Sequence, residues 1–101
     1  MSKQEIKAKI KEAIERDPLQ SEIQKVSLFG SYLSGAPRED SDIDLIIEFV
    51  PTARIGLFSL IGIKHNMEDY VQKPIDLLTP DSISKFFRDE VINQAEVIYE
   101  K

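Results

Sequence analysis

The sequence predicts an α/β or α+β domain in which a small sheet is covered mainly by amphipathic helices. Apolar residues recur at helical spacing in three separate segments, short apolar runs stand between them, and Gly or Pro closes those runs. The chain of 101 residues has room for one core, because single domains usually hold about 100 to 150 residues. A single domain over residues 1–101 is expected.

From Lys3 to Arg16, the residues Ile6, Ile10, Ala13 and Ile14 recur at helical spacing with Lys and Glu between them, which predicts an amphipathic helix ended by Asp17-Pro18. A short helical piece is expected over Leu19 to Gln24. Val26 to Phe29 is a short apolar run closed by Gly30, and Ile43 to Val50 is a longer one stopped by Pro51; both read as strands. Leu57, Leu60, Ile61, Met67 and Val71 then follow helical spacing up to Gln72. Lys73-Pro74 breaks that helix, and Ile75 to Thr79 forms a third strand closed by Pro80. Asp81 or Ser82 can cap a final helix carrying Ile83, Phe86, Phe87 and Val91. Glu96 to Tyr99 is a candidate terminal strand.

With 42% hydrophobic and 31% charged residues, the composition is that of a soluble globular protein, and it indicates neither a disordered tail nor a repeat array. No apolar run approaches the roughly 20 residues that span a bilayer. The first residues are too charged for a secretory signal core, so a cytoplasmic location is expected. The absence of cysteine rules out disulfides, thiolate metal sites and a cysteine nucleophile. A net charge of −5 disfavours stable nucleic-acid binding, which depends on Lys and Arg neutralising many phosphates. A small anionic ligand stays compatible if a cation is supplied locally.

The stretch LFGSYLSGAPREDSDIDLIIEF, Leu28 to Phe49, carries the candidate chemistry. In an extended strand alternate side chains share a face, so Asp42 and Asp44 point the same way about 6 to 7 Å apart. Two carboxylates on one face repel, and a hard divalent cation such as Mg²⁺ between them removes the conflict. Ile43 between them would face the core. Asp76 repeats the arrangement in IDLLT, where it could add a third oxygen ligand from a neighbouring strand. Gly30-Ser31 supplies the other half: a glycine after a strand lets backbone approach a ligand closely, and the turn that follows can aim N–H groups at phosphate oxygens. Arg38, in the loop before the aspartates, could pair with phosphate through its planar fork. Singly, each feature has an ordinary explanation as a turn, a cap, a solvated strand end or a surface charge. Their joint occurrence does not.

The chain resembles the minimal nucleotidyltransferases of the DNA polymerase β-like superfamily, in particular the MNT antitoxins encoded beside HEPN toxins. The resemblance covers nearly the whole chain and rests on Gly30-Ser31, Asp42-x-Asp44 and Asp76. It implies a mixed sheet of three or four strands with flanking helices. It also implies Mg²⁺, as two ions, at Asp42, Asp44 and Asp76, and a nucleotide triphosphate at Gly30 and Ser31. Asp76 would serve as base for the incoming hydroxyl. Arg38 matches an arginine common in the loop before Asp-Ser-Asp. Many relatives carry an arginine three residues after the motif serine, where this chain has Ser34, so a phosphate contact from that position is lost.

The implied activity is transfer of AMP from ATP to a tyrosine of a HEPN ribonuclease toxin, which silences it, with the toxin as partner in a hetero-oligomer. Two alternatives stand beside it: an antitoxin that neutralises by contact alone, and nucleotidyl transfer to a small hydroxylated molecule. Clustered, mutually repelling carboxylates favour catalysis over pure binding, and a short chain encloses little surface for a small acceptor. His65 lacks a second histidine for a metal and reads as a surface or partly packed residue. Lys64 could reach the triphosphate only if its helix borders the site. Tyr32 reads as packing or base stacking, and Phe58, Phe86 and Phe87 as core or partner contacts.

Overall fold

Four strands, β1 (Ile23–Phe29), β2 (Ile43–Phe49), β3 (Ile75–Leu78) and β4 (Glu96–Glu100), form one sheet in the computed structural model, which describes residues 2–34 and 41–101. The spatial order is β3-β2-β1-β4. The sheet is mixed, because β1 runs antiparallel to β2 and β4 while β2 and β3 are parallel. Parallel neighbours need a crossover, and α3 (Leu57–Val71) supplies it between β2 and β3. This is the small mixed sheet with flanking helices that the resemblance implies.

Helix α1 (Lys3–Glu15) starts with a capping box: the Glu5 N–H donates to Ser2 Oγ at 3.1 Å, and the Ser2 N–H donates to Glu5 Oε1 at 3.5 Å. Its Ile6, Ile10, Ala13 and Ile14 are buried, as their spacing predicts. They join Ile63, Met67 and Val71 of α3 and the alternating residues Val26, Leu28, Ile43, Leu45 and Ile47 in one core on one face of the sheet. At the edge of this layer the Lys3 and Lys7 ammoniums meet Glu96 at 3.3 and 2.8 Å, tying α1 to the start of β4. Lys7 first and Lys3 second hold the Glu96 carboxyl below its ordinary range.

Two expectations change before the first glycine. β1 begins at Ile23 rather than Val26, and only a 3-10 turn, Gln20–Glu22, stands where a short helical piece to Gln24 was expected. Ile23 is fully buried and pairs with Phe49, so sheet pairing takes the residues that local spacing left ambiguous. On α3 the buried stripe runs through Ile63, Met67 and Val71, with Leu57 68% and Ile61 37% exposed. The apolar residues at its N-terminal end exceed what the core can cover.

The last helix is shorter than its spacing predicts. Pro80–Ser82 is a 3-10 turn, and α4 spans only Arg88–Gln94, so Ile83, Phe86 and Phe87 precede it. The Arg88 guanidinium donates from Nε to the Pro80 carbonyl at 2.8 Å and from Nη2 to the Ile83 carbonyl at 3.1 Å, and Ser82 Oγ donates to the Thr79 carbonyl at 2.7 Å. These bonds hold the segment as turns. β4 extends one residue beyond the expected Tyr99, to Glu100. Among the described residues no helix is long and apolar enough to cross a membrane.

Asp17, read from the sequence only as a helix end, is buried and joins two elements. Its Oδ1 accepts the Leu19 N–H at 2.8 Å and its Oδ2 accepts Asn66 Nδ2 of α3 at 3.1 Å. Asp17→Ala removes both of these bonds to a buried carboxylate and should cost about 1 to 3 kcal/mol in urea unfolding.

Candidate active site

The carboxylates gather because strand alternation sorts β2 into two faces. Ile43, Leu45 and Ile47 are buried in the core, while Asp44 lies half-buried on the opposite face. β3 repeats the pattern, with Ile75 and Leu77 in the core and Asp76 exposed. Asp44 and Asp76 are register partners on adjacent parallel strands, so their Cα atoms stand about 4.8 Å apart with side chains on one face. Asp42 precedes β2 and is exposed.

Gly30 closes the arrangement from the other side. It follows β1 with φ +78°, a left-handed conformation that favours glycine. A Cβ there would overlap Asp44 Oδ2 and stand 3.0 Å from Asp44 Cγ. Only hydrogen at this position lets the end of β1 lie against the carboxylate. Ser31 opens the four-residue helix α2 (Ser31–Ser34), and the Leu33 N–H donates to the Gly30 carbonyl at 3.1 Å, fixing the turn. The two sequence motifs are therefore in contact.

The electrostatics follow from this crowding. Burial raises the Asp44 carboxyl above its ordinary range, and the charges of Asp76 and then Asp42 raise it further. Among the described residues no group of three or more His, Cys, Asp or Glu side chains stands close enough to grip a metal by itself. An open set of carboxylates suits Mg²⁺, which keeps several waters and binds through one or two carboxylates together with substrate phosphates rather than in an all-protein cage. The oxygen donors and their mutual repulsion both fit that ion.

Other expected contributors divide. Arg38 lies outside the described residues. Tyr32 is buried at 5% exposure and packs in the core, so it does not stack on a ligand. Lys64 is on α3, which covers the core face and not the face of Asp44. His65 is exposed on the same helix. The sequence reading missed a cleft beside Gly30, of about 420 Å³, formed by Phe29, Leu33, Val91 and Gln94. The one local signal was Phe29 itself, whose place on the strand alternates with Leu28 and puts it on the side of Asp44.

The model of the family described as polymerase beta, nucleotidyltransferase matches residues 8–101. A Methanocaldococcus jannaschii protein, provisionally named a protein adenylyltransferase, is 34% identical over 73 residues, covering 72% of this chain and 76% of that relative. A solved structure provisionally described as a minimal nucleotidyltransferase superposes with a TM-score of 0.76 at 25% identity, over 94% of both chains. A chain from a complex of an MNT antitoxin with tri-AMPylated HEPN toxin of Shewanella oneidensis superposes with a TM-score of 0.67 at 19% identity, over 98% of this chain and 73% of that one. The fold is the nucleotidyltransferase fold.

A raised carboxylate pKa has a definite consequence for stability. The stabilising contribution from protonated Asp44 is complete below its ordinary pKa of 3.8 and is lost as pH rises through the higher native value. Asp44→Asn, which does not titrate, should therefore unfold at a higher temperature than the wild type at pH 7 without added metal, with the gap shrinking as pH falls toward 3.8. Thermal melts across that range check it.

Proposed function

The chain belongs to the polymerase β nucleotidyltransferase family, and from that premise we propose that it is a Mg²⁺-dependent protein adenylyltransferase that moves AMP from ATP to a tyrosine of a HEPN-type toxin and thereby acts as its antitoxin. The observation that carries the reading is the contact between Gly30 and the Asp44 carboxylate, beside the Asp44 and Asp76 pair on neighbouring strands. It joins a phosphate-approaching backbone to a cation-seeking carboxylate face.

In this reading Gly30 and Ser31 hold the triphosphate, with Arg38 as a further phosphate contact. Asp42, Asp44 and Asp76 hold Mg²⁺, as two ions, which when bound neutralises phosphate charge and favours departure of the leaving group. The bond that forms joins the tyrosyl oxygen to the α-phosphorus. The bond that breaks joins that phosphorus to the bridging oxygen of the β-phosphate, and pyrophosphate leaves in line. Asp76, the most accessible acid of the strand pair, accepts the tyrosyl proton. Positioning and charge neutralisation supply most of the rate.

A protein acceptor is supported by two things. The relatives' names speak of protein adenylyltransferases and of an AMPylated toxin. The surface also leaves Phe58 89% and Phe86 82% exposed, apolar area of the kind a partner protein covers. The same observation is compatible with neutralisation by contact alone, so the test must separate the two.

Incubating the chain with a HEPN partner, ATP and Mg²⁺ should add whole AMP units to the partner in intact-mass spectra. Asp42→Asn combined with Asp44→Asn should lower that transfer by roughly a hundredfold or more. A partner that is silenced in a stable complex without gaining mass would select the binding reading instead.

A further inference from the structure

β3 is four residues long and lies at one edge of the sheet, with β2 beside it on the other side. Its Asp76 stands in register with Asp44, and these like charges push the two strands apart. An edge strand also presents backbone groups that no further strand pairs. The start of β3 has to be held by other means if Asp76 is to keep its place beside Asp44.

Two hydrogen bonds grip the chain just before Asp76, one from each side. Towards β2, the Ile43 N–H donates to the Pro74 carbonyl at 3.0 Å. Backbone groups of successive strand residues point to opposite sides, so the Ile75 N–H faces the open edge. There it donates to Glu68 Oε2 at 2.8 Å. Glu68 lies on α3 between the buried Met67 and Val71. Its own carbonyl accepts the Gln72 N–H at 2.7 Å, where the helix ends on a left-handed φ of 55°. Glu68 therefore holds both ends of the turn that leads from α3 into β3.

The structure assigns Glu68 as a positioning residue for Asp76, acting through the Ile75 N–H. The inference rests on the reading above, in which Asp76 holds Mg²⁺ and accepts the tyrosyl proton. A carboxylate acceptor makes the bond charge-assisted, and so stronger than a neutral one. Glu68 is half-buried, which limits competition from water. The Ile75 side chain is 2% exposed, so the residue before Asp76 is fixed in the core by its side chain and at the edge by its N–H. Asp76 follows directly and projects from the opposite face. Glu68 comes from the helix on the core side and acts on Asp76 through the backbone rather than as a further ligand.

The test uses three variants of the full chain, each compared with the wild type well below its unfolding temperature. Glu68→Gln keeps an oxygen that can accept the Ile75 N–H. Glu68→Met keeps the length without that oxygen, and Glu68→Ala removes both; either of these suffices if the other does not fold. Amide hydrogen exchange at Ile75, followed by NMR in the metal-free chain, should be about tenfold or more faster in E68M and E68A and close to the wild type in E68Q. Mg²⁺ affinity, read at the Asp76 amide, should weaken by about tenfold in E68M and E68A. Their kcat for AMP transfer to the HEPN partner should fall by a similar factor, with KM for ATP unchanged because Gly30 and Ser31 hold the triphosphate. A role confined to overall stability would lower the unfolding temperature and leave Mg²⁺ affinity and kcat in place.

Unchanged exchange at Ile75, or unchanged Mg²⁺ affinity and kcat, in a folded E68M or E68A would overturn the assignment. An equal loss in E68Q would also overturn it, since the effect would then come from charge and not from the hydrogen bond. A wild type that responds to Mg²⁺ at Asp76 but transfers no AMP would overturn the adenylyltransferase reading alone, and the Mg²⁺ difference between the variants would still decide the role of Glu68. A wild type with no Mg²⁺ response at Asp76 would overturn both.

Discussion

The register between β1 and β2 is the constraint on which the rest depends. With Leu28 opposite Leu45 and Val26 opposite Ile47, one face of the pair is wholly apolar and is sealed by α1 and α3. The same register puts Phe29 opposite Asp44 on the other face. A slip of one residue would send Asp44 into the core and expose Leu45 and Ile47, so burial of the large aliphatic residues enforces the position of the Asp44 carboxylate. The core and the site are two consequences of one alignment.

That alignment carries a standing electrostatic cost. Asp44 sits half-buried between like charges, and its carboxyl resists ionisation for that reason. The fold bears this because the aliphatic core beneath is extensive: Ile6, Ile10 and Ile14 of α1 and Ile43, Leu45 and Ile47 of β2 are nearly or fully inaccessible. A residue set chosen for stability alone would replace one of the acids. A cation bound there, as proposed above, would convert the repulsion into binding.

The second face is finished differently from the first. α1 and α3 bury continuous stripes against the sheet, whereas Phe86 and Phe87 stay exposed and α4 is confined to seven residues, Arg88–Gln94. A tightly packed helix there would close over Phe29 and Asp44. The turns held by Arg88 instead bring the helix in beside Gly30 and leave a cleft. Ser27 and Ile46 are covered on this face, while Phe29 and Asp44 stay only half-buried beside the cleft.

Much of this was legible in the residues themselves. The spacing of Ile6, Ile10 and Ile14, the apolar run from Ile43, and the pairing of Gly30-Ser31 with Asp42 and Asp44 are local patterns, and local patterns determine helix faces, strand alternation and which groups could share a ligand. Ile23 and the Ile83 to Val91 segment depart from what local spacing predicts, because each depends on how much face a distant partner has left to cover. The contact between Gly30 and Asp44, the alignment of Asp44 with Asp76, and the cleft between Phe29 and Gln94 join residues that lie 14, 32 and 65 positions apart. No local periodicity carries such distances. Sequence alone set the chemistry the chain can perform, and tertiary structure decided where it converges, because only strand order and register bring remote residues onto one face.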